Sequence, residues 1–175
     1  MRVRTEQGDR VESAGQKHFL ATHAACHDKV YRYFRRRTEG TPAAEDLTAD
    51  VFRIVWEKSC QGQELSELVV FGIARNVLRN YHRSAIRSMN LAQQLEHQRT
   101  RELGSDGGTV REALDQLKPE EREVLLLTYW DGFSSAEVSG LLNITATAVR
   151  MRLHRARKQL SNLLRTDQAT EDVQR

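Results

Sequence analysis

Arginine is the residue type whose spacing could do chemistry in this chain. Arg150, Arg152, Arg155, Arg157, Lys158 and Arg165 lie between Thr145 and Arg165 with no acid among them. A guanidinium fork pairs with phosphate oxygens or with the acceptor edge of guanine, so this set suits a polyanion. A second set, Arg75, Arg79, Arg83 and Arg87, recurs every four residues, again with no acid from Phe71 to Arg87, and Asn76 and Asn80 run along its edge. Like charges at that interval repel on an isolated helix, which makes an anionic partner the economical explanation and a solvated face the alternative. A third set mixes types: Phe52 and Trp56 stand beside Asp46, Asp50 and Glu57, with Arg53 among the acids. Either the aromatics pack against the preceding helix or the group forms a face for a protein partner.

Other chemistry is absent from the pattern. There is no Gly-rich phosphate loop, no G-x-S-x-G elbow and no HExxH, so no enzymatic activity is expected. His23, Cys26 and His27 share one helix face at metal-like spacing, but no fourth ligand accompanies them. Core packing is the reading, and neither a metal nor a cofactor is expected. Cys26 and Cys60 form neither a CxxC pair nor a disulfide framework; they read as small packed residues, with redox sensitivity the alternative. The net charge of +3 and pI near 9.1 are mild, so the basic residues act by placement rather than by total. With no apolar signal segment and no long apolar run, a cytoplasmic location and no membrane insertion are expected.

The elements that must position these residues are helices. Two prolines in 175 residues, strong helix formers and few β-branched runs predict an all-α chain of two small helical domains joined by a flexible linker. Residues 1–17 are polar and read as a flexible extension. The first domain, 18–88, opens with a helix from His18 to Arg37 carrying Phe19, Cys26, Val30, Tyr33 and Phe34 on one face. A second helix runs from Pro42 to Ser59, with Glu45 and Asp46 in its first turn and Leu47, Val51, Ile54 and Val55 as its buried stripe. After a loop at Cys60–Gln63, a third helix from Glu64 to Arg87 buries Ile73, Ala74, Val77, Leu78 and Tyr81. Residues 89–108, ending in Gly104-Ser105-Asp106-Gly107-Gly108, are the linker. The second domain, 109–165, has a short helix with Val110, Ala113, Leu114 and Leu117. A helix from Pro119 follows, with Val124, Leu125, Leu127, Thr128 and Trp130, ending at Asp131-Gly132. Residues 166–175 read as a polar tail.

What lies between Ser134 and Lys158 is a helix-turn-helix. Ser134 and Glu137 have capping-box spacing, Asn143 tolerates the left-handed turn conformation, and Thr145 can cap the second helix. On that helix Val149, Leu153, Ala156 and Leu160 share one side, leaving Thr147, Met151, His154, Arg155 and Lys158 opposite and free to enter a groove.

Four strings carry a family resemblance: Ala44 to Trp56, Phe71 to Asn76, Leu117 to Leu125, and Val149 to Arg157. In this order, and joined by a linker, they make roughly residues 18–164 similar to the extracytoplasmic-function (ECF) group of the sigma-70 family, the initiation subunits of bacterial RNA polymerase. The resemblance implies that Asp46, Asp50, Phe52, Arg53, Trp56 and Glu57 dock on the clamp helices of the polymerase largest subunit, with the flap region a further contact. It implies that Arg75, Asn76, Arg79, Asn80 and Arg83 face the minus-ten promoter element and its melted single strand, with the loop Ser59–Glu67 a candidate pocket for an unstacked base. It implies that Thr147, Arg150, Met151, His154, Arg155 and Lys158 meet the duplex minus-thirty-five element in the major groove. Family members are commonly held inactive by an anti-sigma protein, which is therefore a further partner class.

Two departures bear on these roles. Many relatives have a proline and Trp-Leu ahead of the Ile-Ala-Arg-Asn string, where this chain has Ser66, Val69 and Val70. Met151 replaces a small polar residue common in relatives, offering apolar contact with a thymine methyl but no strong donor. The alternative function is a helix-turn-helix regulator that binds duplex DNA without polymerase; it needs a dimer surface or ligand pocket, and the sequence marks neither clearly. A DNA-processing enzyme would need a metal-binding carboxylate set that is missing.

Overall fold

Proline, glycine and serine set the helix boundaries that position the charged faces. The structure, a computed structural model, describes residues 3–93 and 109–173, with side chains described at 14–86, 110 and 112–165. Every regular element among the described residues is a helix. The chain divides into two units, 1–104 and 105–175.

In the first unit α1 (Val3–Arg35), α2 (Thr41–Cys60) and α3 (Glu67–Gln93) pack pairwise around one core. Tyr33 and Phe34 of α1, Val51 and Val55 of α2, and Val70 and Phe71 of α3 are fully buried, and Tyr33 meets Phe34 and Phe71 edge-on at 5.3 and 5.6 Å. Each such side chain contributes about 1.5–3 kcal/mol of burial, which offsets the entropy of fixing the three helices. At the end of α1 the Thr38 N–H and hydroxyl both donate to the Phe34 carbonyl at 2.9 Å. Gly40, at φ 80°, then turns the chain into α2, which has proline in its first turn.

The α2 terminus is a Schellman motif. The Gln63 N–H donates to the Lys58 carbonyl at 3.1 Å and the Gly62 N–H to Ser59 at 3.0 Å, with Gly62 at φ 78°. Ser66 starts α3: its hydroxyl accepts weakly from the Val69 N–H at 3.4 Å, and the buried Leu65 and Val70 occupy the two positions of a hydrophobic staple. Serine and the staple thus start α3 without a proline.

Several boundaries differ from the sequence reading. The first helix begins at Val3, not His18, so the expected extension is helical from that residue. Gly15 lets it pass close to the end of α2, a close approach that hydrophobic periodicity does not register. Because α2 starts at Thr41, Glu45 and Asp46 fall beyond its first turn. The buried stripe of α3 centres on Val70, Phe71, Ala74 and Leu78, while Ile73, Val77 and Tyr81 are only half-buried. α3 continues through Gln93, five residues into the expected linker; the rest of that linker, 94–108, lies outside the described residues.

In the second unit α4 (Thr109–Asp115), α5 (Pro119–Tyr129) and α6 (Ser135–Leu142) each pack on α7 (Ala146–Val173). Ala113, Val124, Leu127, Phe133, Val138, Val149 and Ala156 fill the core. Leu126, absent from the expected stripe, is buried as well, whereas Trp130 and Val110 are exposed. Arg122 and Asp115 join the α4 and α5 helices at 2.6 Å. α7 runs through most of the expected polar tail, to Val173.

Candidate nucleic-acid and partner interfaces

The helix-turn-helix is fixed by three local devices. The Ser134 hydroxyl accepts from the Glu137 N–H at 3.3 Å, while the Glu137 carboxylate accepts from the Ser134 N–H at 2.8 Å and its hydroxyl at 2.6 Å, closing the capping box. Those bonds favour the ionised form and hold Glu137 below the usual carboxylate range. Asn143, at φ 54° and ψ 48°, ends α6 in the left-handed conformation, and the Ser139 hydroxyl donates to the Ile144 carbonyl at 2.7 Å. Thr145 then accepts from the Ala148 N–H at 3.1 Å and starts α7.

That turn places Val149, Leu153 and Ala156 in the core and leaves Thr147, Arg150, Met151, His154, Arg155 and Lys158 exposed on α7. Arg150 donates to the Thr147 hydroxyl at 3.2 Å, so the guanidinium is pre-positioned along the outer face. Arg157 turns the other way, over the Tyr129 ring at 5.3 Å. The outer face is basic, carries an apolar spot at Met151 and holds no carboxylate.

On α3 the exposed row is Asn76, Arg79, Asn80 and Arg83, with Arg75 half-buried at its upper end. On α2, Asp46, Asp50, Arg53, Trp56 and Glu57 are exposed. Arg53 pairs with Glu57 at 2.9 Å and Asp50 at 3.8 Å, which leaves this face with more carboxylates than cations. Trp56 keeps 41% of its surface while its edge rests on Phe19 at 5.1 Å. Phe52 is different: it is buried, with the His23 ring at 4.6 Å and the His27 ring at 5.6 Å.

The chain is similar to known proteins in both sequence and fold. Residues 108–160 match the family described as sigma-70, region 4. Over 153 residues the chain is 28% identical to the ECF RNA polymerase sigma factor BldN of Streptomyces coelicolor, covering 80% of this chain and 58% of that protein. Over 160 residues it is 28% identical to the ECF RNA polymerase sigma factor SigL of Mycobacterium tuberculosis, covering 85% and 88%. The sigma factor RpoE of Bartonella quintana, solved with the anti-sigma factor NepR, shares the fold at a TM-score of 0.69 and 21% identity, over 85% of this chain and 98% of that one. Residues 108–160 thus match sigma-70 region 4, and over most of its length the chain is similar to ECF RNA polymerase sigma factors.

In this protein the structure brings the second-unit residues together on one helix face, and those of α3 on another. It separates the α2 set: five members share an exposed face, and Phe52 lies beneath it as core. Phe52 therefore shapes that face without being open to a partner. The His23, Cys26 and His27 spacing resolves as packing. His23 stacks on His27 at 4.8 Å, Cys26 is buried, and the described residues hold no cluster suited to a metal. Burial, then the neighbouring His27, lowers the His23 pKa against the opposing effect of Asp28. Burial, then Glu67, raises the Cys26 thiol, which keeps it protonated and poorly reactive.

Two features escaped the sequence reading. Exposed Tyr129 and Trp130 wall a groove of about 490 Å³ with Leu125, Leu160 and Leu164, rimmed by Arg157 and Arg165. A helix ending in adjacent aromatics was the available signal. The other is Gly15 and His18, one turn apart on α1 and facing the loop between α2 and α3; a lone glycine in a polar segment carried no such signal. No helix of the described residues is long and apolar enough to cross a membrane.

Proposed function

We propose that this chain directs core RNA polymerase to promoters bearing two specific elements and helps open one of them. The supporting observation is that two acid-free basic faces, on α3 and α7, belong to different units. The α7 face is the outer side of a capped helix-turn-helix, suited to the major groove of the duplex minus-thirty-five element. Arg150, His154 and Arg155 lie toward base edges or phosphates, and Met151 toward a thymine methyl. The α3 face, where arginine runs with asparagine, suits a single strand with its backbone neutralised and its bases splayed.

The exposed Asp46, Asp50, Arg53, Trp56 and Glu57 of α2 form the face for the polymerase clamp helices, an aromatic anchor within an acidic rim. The Tyr129–Trp130 groove offers the polymerase flap region an apolar contact. An anti-sigma protein, the partner class with which RpoE was solved, would compete for these same faces.

Run-off transcription with purified core polymerase on randomised promoter DNA, with and without the protein, tests this reading. Transcripts that depend on the protein and share two sequence elements are expected. Tight, sequence-specific binding of the protein alone to duplex DNA, with no polymerase binding, would overturn it in favour of a conventional helix-turn-helix regulator.

A further inference from the structure

The loop between α2 and α3, residues 61–66, is tied at both ends to the same turn of α1. At its start, Gly15 packs so closely that a Cβ there would stand 2.7 Å from the Ser59 carbonyl oxygen and 3.4 Å from the Cys60 Cα. At its end, the Leu65 N–H donates to His18 Nε2 at 3.1 Å. Leu65 lies just before the Ser66 cap of α3, so its N–H has no intrahelical acceptor, and its side chain is buried. A part-buried donor in that position is stabilised by a partner, and His18, 47 residues away in sequence, is the partner present. Gly15 and His18 are three residues apart and share a helix face.

We propose that Gly15 and His18 brace this loop in the shape that receives an unstacked promoter base, with His18 acting as a positioning residue. The inference rests on the proposed promoter-opening function. The loop itself is anchored by the Schellman motif before it and the Ser66 start after it, leaving Gln61, Gly62, Gln63 and Glu64 exposed between two fixed ends. A pocket for a flipped base must be preorganised, because each degree of freedom frozen on binding subtracts from the stacking and hydrogen-bond energy that offsets unstacking. His18 supplies that order through an acceptor, which fixes the tautomer: Nε2 bare and the proton on Nδ1.

The full-length protein with core polymerase tests the brace. Opening of a promoter found by run-off transcription is followed by 2-aminopurine fluorescence in the minus-ten element, alongside polymerase affinity. Loss of one ordinary hydrogen bond predicts opening weakened roughly five- to ten-fold in His18→Ala at unchanged polymerase affinity. His18→Gln, whose side-chain oxygen reaches about where Nε2 lies, should restore it, which a purely space-filling role would not predict for a flexible amide. In the free protein, His18 ¹⁵N shifts should report the Nδ1–H tautomer, and the Leu65 amide should lose exchange protection in His18→Ala and regain it in His18→Gln. A wild-type protein that opens promoters while His18→Ala opens them equally well overturns the brace, as does equal failure of both His18 variants or an unprotected wild-type Leu65 amide. A wild-type protein that binds polymerase and opens no promoter sinks the parent function instead, and the Leu65 and His18 signals still judge the contact.

Discussion

At the scale of single residues, burial separates side chains that a sequence places in one group. Phe52 and Trp56 are both aromatic and one helical turn apart, yet Phe52 is 6% exposed and Trp56 41%. Phe52→Ala should destabilise the first unit by about 3–5 kcal/mol, as truncation of a core aromatic does. Trp56→Ala should cost stability far less and instead weaken polymerase binding by about ten-fold or more, the usual range for an aromatic anchor. Thermal denaturation with a polymerase pull-down tells the two apart. His23 gives a second test at this scale. Its pKa is lowered in the folded state, so the unfolded chain takes up the proton first. Its contribution is therefore complete above the ordinary imidazole value and is lost progressively as pH falls through that value toward the lower folded one. The melting temperature should drop between about pH 7.5 and 5.5, and His23→Leu should flatten that drop. An identical slope in the variant would assign the effect to other groups.

At the scale of elements, the caps decide where the helices stop and hence where their charged faces point. Ser134→Ala removes an acceptor for the Glu137 N–H and a donor to its carboxylate, and should destabilise the second unit by about 1 kcal/mol. Glu137→Gln should keep much of the geometry while abolishing the part of the acid lability that comes from this carboxylate, measured as melting temperature below about pH 5. These devices were legible because capping is local chemistry: Ser134, Glu137, Asn143 and Thr145 announce themselves by type and spacing. The helical fold and the exposed rows on α3 and α7 were legible for a similar reason, since helical periodicity sorts faces without reference to any neighbour. What escaped depends on the neighbour. Gly15 looks like a flexible residue in a polar segment until α2 is placed against it. Trp130 looks like core until the end of α5 leaves it at the rim of a groove. The buried stripe of α3 keeps Ala74 and Leu78 but starts a turn earlier than expected, where Phe71 meets Tyr33 of α1 edge-on, a contact invisible within α3 itself.

At the scale of the whole molecule, two units with separate surfaces imply separable energetics. Each phosphate neutralised on duplex DNA adds about 0.9 to the salt slope, and each on a single strand about 0.7. Arg155→Ala should therefore lower the slope for a duplex minus-thirty-five fragment by about 1. Arg79→Ala should lower that for a single-stranded minus-ten oligonucleotide by a similar or slightly smaller amount. Neither should alter the other's slope, nor affinity for core polymerase, because Arg79 and Arg155 belong to different units and neither lies on the α2 face. On a promoter with both elements, the double variant tests independence directly: losses that add within about 0.5 kcal/mol mean the units bind as linked but uncoupled modules. A shortfall would mean instead that docking of one unit helps place the other, so that part of the promoter affinity is effective concentration rather than contact. Salt titrations of the assembled holoenzyme on the two fragments and on the intact promoter supply all the terms, and coupling would appear as a promoter slope that is less than the sum of the fragment slopes.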